Sequence, residues 1–66
     1  MITFDPFWET LKKKNISQYT LLHDYGLSHG TLSSIKQNKS ITLNTLNELC
    51  RILDCNVDDI IIYKAE

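Results

Sequence analysis

Residues 25–40 read YGLSHGTLSSIKQNKS and hold both glycines of the chain, Gly26 and Gly30. Ser28 is a good helix N-cap, and Leu32 and Ile35 stand at i and i+3. A helix is therefore expected over residues 29–37 with these two side chains inward. Gly30, Ser33 and Ser34 are poor choices for such a helix, since glycine costs about 1 kcal/mol against alanine and serine a few tenths. On a helical wheel Gly30, Ser33, Ser34 and Gln37 lie opposite Leu32 and Ile35, with His29, Thr31 and Lys36 on the flanks. A face that served solubility alone would more often carry Glu and Lys, whereas the centre of this one has neither charge nor bulk. Small polar side chains let a helix axis come close to base edges and phosphates, and hydroxyls both donate and accept. An ordinary polar face in a small helical domain is the competing reading.

The neighbouring segments supply the setting. Ser17 caps a second helix over residues 18–25 with Leu21, Leu22 and Tyr25 on its apolar face, and Gly26 can take the left-handed conformation that ends it. Two short helices joined by GLS are the parts of a helix-turn-helix. Upstream, Asp5 and Pro6 form an N-cap and first-position pair for a helix over residues 6–14. That helix buries Phe7, Trp8 and Leu11 in part and ends on Lys12, Lys13 and Lys14. Downstream, Asn38 can end the third helix and Thr42 caps a fourth, along which Leu43, Leu46, Leu49, Cys50 and Leu53 recur at helical spacing. Asn56 caps a short fifth helix from Val57. The β-branched DIIIYK that follows is read as a strand, with residues 2–4 as its partner. The expected fold is all-α: five short helices in one helix-turn-helix domain, residues 1–66, with a terminal strand pairing.

Composition narrows the function. With 42% hydrophobic residues and no apolar run near the roughly 18 residues of a membrane span, no membrane partner is expected. The N-terminal stretch lacks the apolar core of a signal peptide, so a cytoplasmic location is expected. Cys50 and Cys55 are too few to staple a secreted fold, and His23 and His29 do not complete a zinc spacing with them. The two cysteines are read as small buried hydrophobes. Net charge is −1, yet residues 12–39 hold five lysines against Asp24, while both flanks are acidic, an arrangement that suits an anionic partner. Tyr19, Tyr25 and Tyr63 are read as packing with hydroxyls outward, and Asp58 and Asp59 as complementing a helix dipole. No nucleophile elbow, P-loop or metal spacing occurs, so no enzyme activity, cofactor, metal or small-molecule ligand is expected.

From Gln18 the chain reads QYTLLHDYGLSHGTLSSIKQNK, which resembles the helix-turn-helix of the phage Cro and repressor family, the xenobiotic-response-element type. The matching residues are Gln18, Leu21, Gly26, Leu32 and Ile35. Further on, ITLNTLNELCRILDCNVDDII is similar to that family's fourth and fifth helices, and LCRILDC together with FWETL resembles very short bacterial and phage regulators. Leu22 departs from the pattern, standing where many members have alanine. The resemblance implies a lambda-repressor-like fold and a sequence-specific DNA-binding regulator, a repressor that inserts helix 29–37 into the major groove. It implies base reading by Ser28, His29, Gly30, Thr31, Ser33 and Ser34, chiefly His29 and Ser34, and backbone contacts by Gln18, Gln37, Asn38 and Lys39. With Gln37 assigned to the backbone, no long Gln or Arg is available on helix three for a bidentate base contact, so specificity leans on hydroxyls, water and DNA shape. The partners are double-stranded DNA and a second copy of the chain, with residues 60–63 as the seam and the fourth helix as the alternative. A protein-interaction module, antirepressor or antitoxin-like, is the runner-up function.

Overall fold

The computed structural model describes residues 1–66. Its elements run β1 (Ile2–Thr3), α1 (Asp5–Lys14), α2 (Gln18–His23), α3 (His29–Lys36), α4 (Leu43–Leu53), a single 3-10 turn (Val57–Asp59) and β2 (Ile62–Tyr63). Three helices begin on the hydroxyl caps that the sequence offers. Ser17, Ser28 and Thr42 accept from the backbone N–H of Thr20, Thr31 and Thr45 at 3.1, 3.0 and 3.1 Å, satisfying donors that the helices themselves leave open. Helix ends are equally local. Asn15, Asn38 and Asp54 have φ of 57°, 54° and 50°, and Gly26 has φ of 70°. After the first three of these, the next N–H reaches back five residues: Ile16 to the Leu11 carbonyl at 3.0 Å, Lys39 to Ser34 at 2.8 Å, and Cys55 to Cys50 at 3.1 Å.

The core collects one apolar side of each helix. Phe4, Phe7, Leu11, Leu21, Ile35, Leu46, Leu49, Leu53 and Ile60 form one buried cluster. Thr10 lies against it and donates to the Asp59 carbonyl at 2.6 Å, joining α1 to the 3-10 turn. The chain ends meet as expected, with β1 antiparallel to β2, Ile2 opposite Tyr63 and Thr3 opposite Ile62.

Several expectations need correcting. There are four α-helices, not five, so the fold is mostly helical with a small sheet. The run after Asn56 makes only the three-residue 3-10 turn because the β-branched residues that follow favour extended backbone. Helix α1 starts at Asp5 with Phe4 in the capping position, so Asp5 does not cap it. Its carboxylate instead takes the Lys64 ammonium at 2.5 Å. Helix α2 ends at His23, and Tyr25 lies past it, half exposed at 48%. Helix α3 ends at Lys36, with Gln37 as its C-terminal cap. Phe7 and Leu11 are fully buried, whereas Leu43 is 82% exposed, because α4 begins one turn beyond the surface it packs on. Ile60 is wholly buried and is part of the core, so it cannot belong to a seam.

Candidate nucleic-acid interface

Helix α3 is held from beneath. Leu32 and Ile35 are buried, Ile35 in one cluster with Leu21 of α2, and Leu27 in the turn packs on the same core, its N–H donating to the Leu21 carbonyl at 3.0 Å. The opposite face is open. His29, Gly30, Ser33 and Gln37 are exposed, and Thr31 and Ser34 are half-buried. A Cβ built at Gly30 would meet nothing within 4 Å, so packing does not require glycine there. Gln37 donates from Nε2 to the Ser33 hydroxyl at 3.0 Å, while His29 has no hydrogen-bond partner for its ring within the chain. Ser28 is different. Its hydroxyl accepts from the Thr31 N–H at 3.0 Å and donates to the Thr31 hydroxyl at 2.8 Å, so both side chains are occupied by the cap.

The residues expected against the sugar-phosphate backbone lie at the two ends of this unit. Gln18 opens α2 and borders a shallow groove of about 410 Å³ together with Lys12, Asn15 and Ser17. Lys12 was legible only as a complement to the α1 dipole; its place beside Gln18 depends on the α1–α2 corner that Asn15 turns. At the other end Asn38 does something the sequence does not reveal. Its Oδ1 accepts the Phe4 N–H at 2.9 Å, tying the loop after α3 to the N-terminal strand. Lys39 follows it, exposed, and neither Lys36 nor Lys39 pairs with an acid.

Glu9 stands 3.9 Å from Lys12, and the other paired acids are engaged away from α3. Glu48 takes Arg51 at 2.6 Å, which holds its carboxyl below the ordinary value through that hydrogen bond and then the guanidinium charge. Asp5 is likewise lowered, first by the hydrogen bond from Lys64. Asp24 stands 3.2 Å from His23, whose ring stacks on Tyr19 at 5.1 Å along α2. No three metal-binding side chains converge anywhere in the chain, and no helix is long and apolar enough to cross a membrane.

Residues 7–66 match the Cro/C1-type helix-turn-helix DNA-binding domain. The chain belongs to that family. In sequence this Cro/C1-type protein is 33% identical over 58 residues to the uncharacterized HTH-type transcriptional regulator YozG of Bacillus subtilis (strain 168), covering 85% of this chain and 69% of that one. Among solved structures it superimposes on the transcriptional regulator VanUg with a TM-score of 0.87. The sequences there are 25% identical, with 98% of this chain and 87% of the other covered. DNA binding and transcriptional regulation are thus the family setting in which the α2–α3 surface is read.

Proposed function

We propose that this Cro/C1-type protein is a sequence-specific repressor that occludes promoter DNA with α3 in the major groove. The observation that carries this reading is the bare first turn of α3 on its outward face: Gly30 is exposed with free space above it, in a helix that would fold better with a side chain there. In this reading Gly30 sets the close approach, and His29, Ser33 and Ser34 read base edges. Ser28 and Thr31, their hydroxyls engaged by the cap, contribute shape. Gln18, Gln37 and Lys39 hold phosphates, and Lys12 adds positive charge beside Gln18. Asn38 acts through Phe4, fixing the loop that presents Lys39, rather than through a phosphate of its own. Residues 1–66 work as one unit, in the cytoplasm, by binding and without a cofactor.

One such module makes few phosphate contacts, and the geometry of paired half-sites about 34 Å apart calls for a second copy. Its seam is built from exposed apolar side chains on one side of the ribbon and the adjoining helix, Leu43 of α4 with Ile2 of β1 and Tyr63 opposite it on β2. Binding to random duplex DNA, titrated with salt, tests the proposal. Affinity is expected to fall steeply and linearly on a log–log plot, by about 0.9 per phosphate neutralised. A chain that ignores duplex DNA at low salt and micromolar concentration would overturn it and favour a protein partner.

A further inference from the structure

The corner that ends α4 brings the chain's two thiols together. Asp54 is left-handed, and the Cys55 N–H donates to the Cys50 carbonyl at 3.1 Å. In this type of helix ending the side chains at the two bonded positions touch, usually as a hydrophobic pair. At the end of α1 the same positions are Leu11 and Ile16. In α4 both are cysteine. The connecting bond limits their Cα separation to about 7 Å, against roughly 4.4–6.8 Å in disulfides. Both are free and half-buried, and both line one open groove of about 380 Å³ with Leu43, Leu46, Asn47 and Val57, so small reagents can reach them. Neither belongs to the α2–α3 surface.

We propose that Cys50 and Cys55 form a dithiol site that closes to an intramolecular disulfide by exchange with a small disulfide such as oxidised glutathione. Burial, and then the adjacent Cys50 thiol and Asp59, push the Cys55 thiol up, so the step is written with Cys55 as the resolving thiol. Cys50 thiolate attacks one reagent sulfur; the reagent S–S bond breaks, and the departing glutathione takes the electron pair and a proton. Cys55 then gives up its proton and displaces the second glutathione from Cys50. The chain has lost two hydrogens and the reagent has become two reduced molecules.

The test equilibrates the full chain with graded mixtures of oxidised and reduced glutathione, in buffer and in strong urea, then quenches with acid and weighs the products. The folded chain should close at an oxidised-to-reduced ratio about tenfold lower than the unfolded one, where only random loop closure joins the thiols. By linkage the closed form should then resist urea by the same factor in its unfolding equilibrium. Cys50→Ser and Cys55→Ser should stop at a single glutathione adduct. Equal midpoints in buffer and urea, closure in urea alone, or a disulfide-linked dimer in dilute solution would overturn the proposal.

Discussion

In a Gly30→Leu variant the fold and the DNA surface make opposite demands. The position is the second residue of α3, exposed, with nothing within 4 Å of a Cβ placed there, so leucine meets no steric obstacle in the free protein. Leucine is the better helix former by up to about 1 kcal/mol, and in the first turn we take half to all of that. In a domain of this size the gain corresponds to a rise in Tm of about 2–8 °C. Against DNA the same side chain fills the gap between the helix axis and the base edges. It lifts α3, and the contacts of His29, Ser33 and Ser34 loosen together. At about 1–3 kcal/mol per base contact, losing two weakens specific binding by about thirtyfold to ten-thousandfold, toward the affinity for random sequence. Urea or thermal unfolding gives the first number, and titration of a labelled operator against a random duplex gives the second. Gly30→Ala, with one added methyl, should stabilise similarly and bind at an intermediate level. If Gly30→Leu binds operator within about threefold of the parent, α3 is not the reading helix and the open space above Gly30 has no bearing on DNA.

Four more outcomes follow from the geometry. Asn38→Ala leaves the Phe4 N–H unpaired and puts alanine at a left-handed φ, so it should destabilise by about 2–4 kcal/mol in urea unfolding; Asn38→Gly, which relieves the backbone, should cost less. A stability unchanged in both would remove the proposed tie. Asp5→Asn should lower the urea midpoint at pH 7. The Asp5 carboxyl is depressed in the folded state, so its contribution exists above the unfolded value and fades as pH falls below about 4. A gap that persists at pH 2 would exclude the Lys64 pairing as its source. Leu43→Glu, at an exposed position, should leave unfolding unaltered and shift sedimentation toward monomer; an intact dimer would move the seam elsewhere. Lys39→Ala should reduce the log–log salt slope by about one and weaken all sequences alike, and a changed base preference would contradict a backbone role.

What the sequence makes legible here is what neighbours decide. Ser17, Ser28 and Thr42 cap the helices because a hydroxyl reaches an N–H three residues on, and Asn38 turns the chain at the end of α3 through its own φ, whereas the left-handed Gly26 lies in the turn beyond α2, which already stops at His23. The β1–β2 pairing was also within reach, because an isoleucine-rich tail has few other places to go. Partners far apart in the chain were not legible. The Asn38 bond to Phe4 spans 34 residues and the Lys64 bond to Asp5 spans 59, and nothing in either residue's surroundings marks it for that partner. Leu43 misled because periodicity reports which side of a helix faces inward, not how far along its length the core extends.

The tie between Asn38 and Phe4 also bears on the order in which the molecule forms. The caps and corners of α2 and α3 close over a few residues, whereas β1 finds β2 only after nearly the whole chain has been drawn into a loop. Phe4 follows β1 at the start of α1, and its N–H steadies the residue just past α3 from 34 residues away. The segment carrying Lys39 is thus steadied by a contact far away in sequence, whereas α3 is capped by its own neighbour Ser28. An intermediate with its helices formed and its ends still apart would present α3 without a fixed backbone clamp. In the proposed reading, such a chain would keep α3 while Lys39 lost its fixed place, so discrimination between DNA sequences would fail before adhesion did.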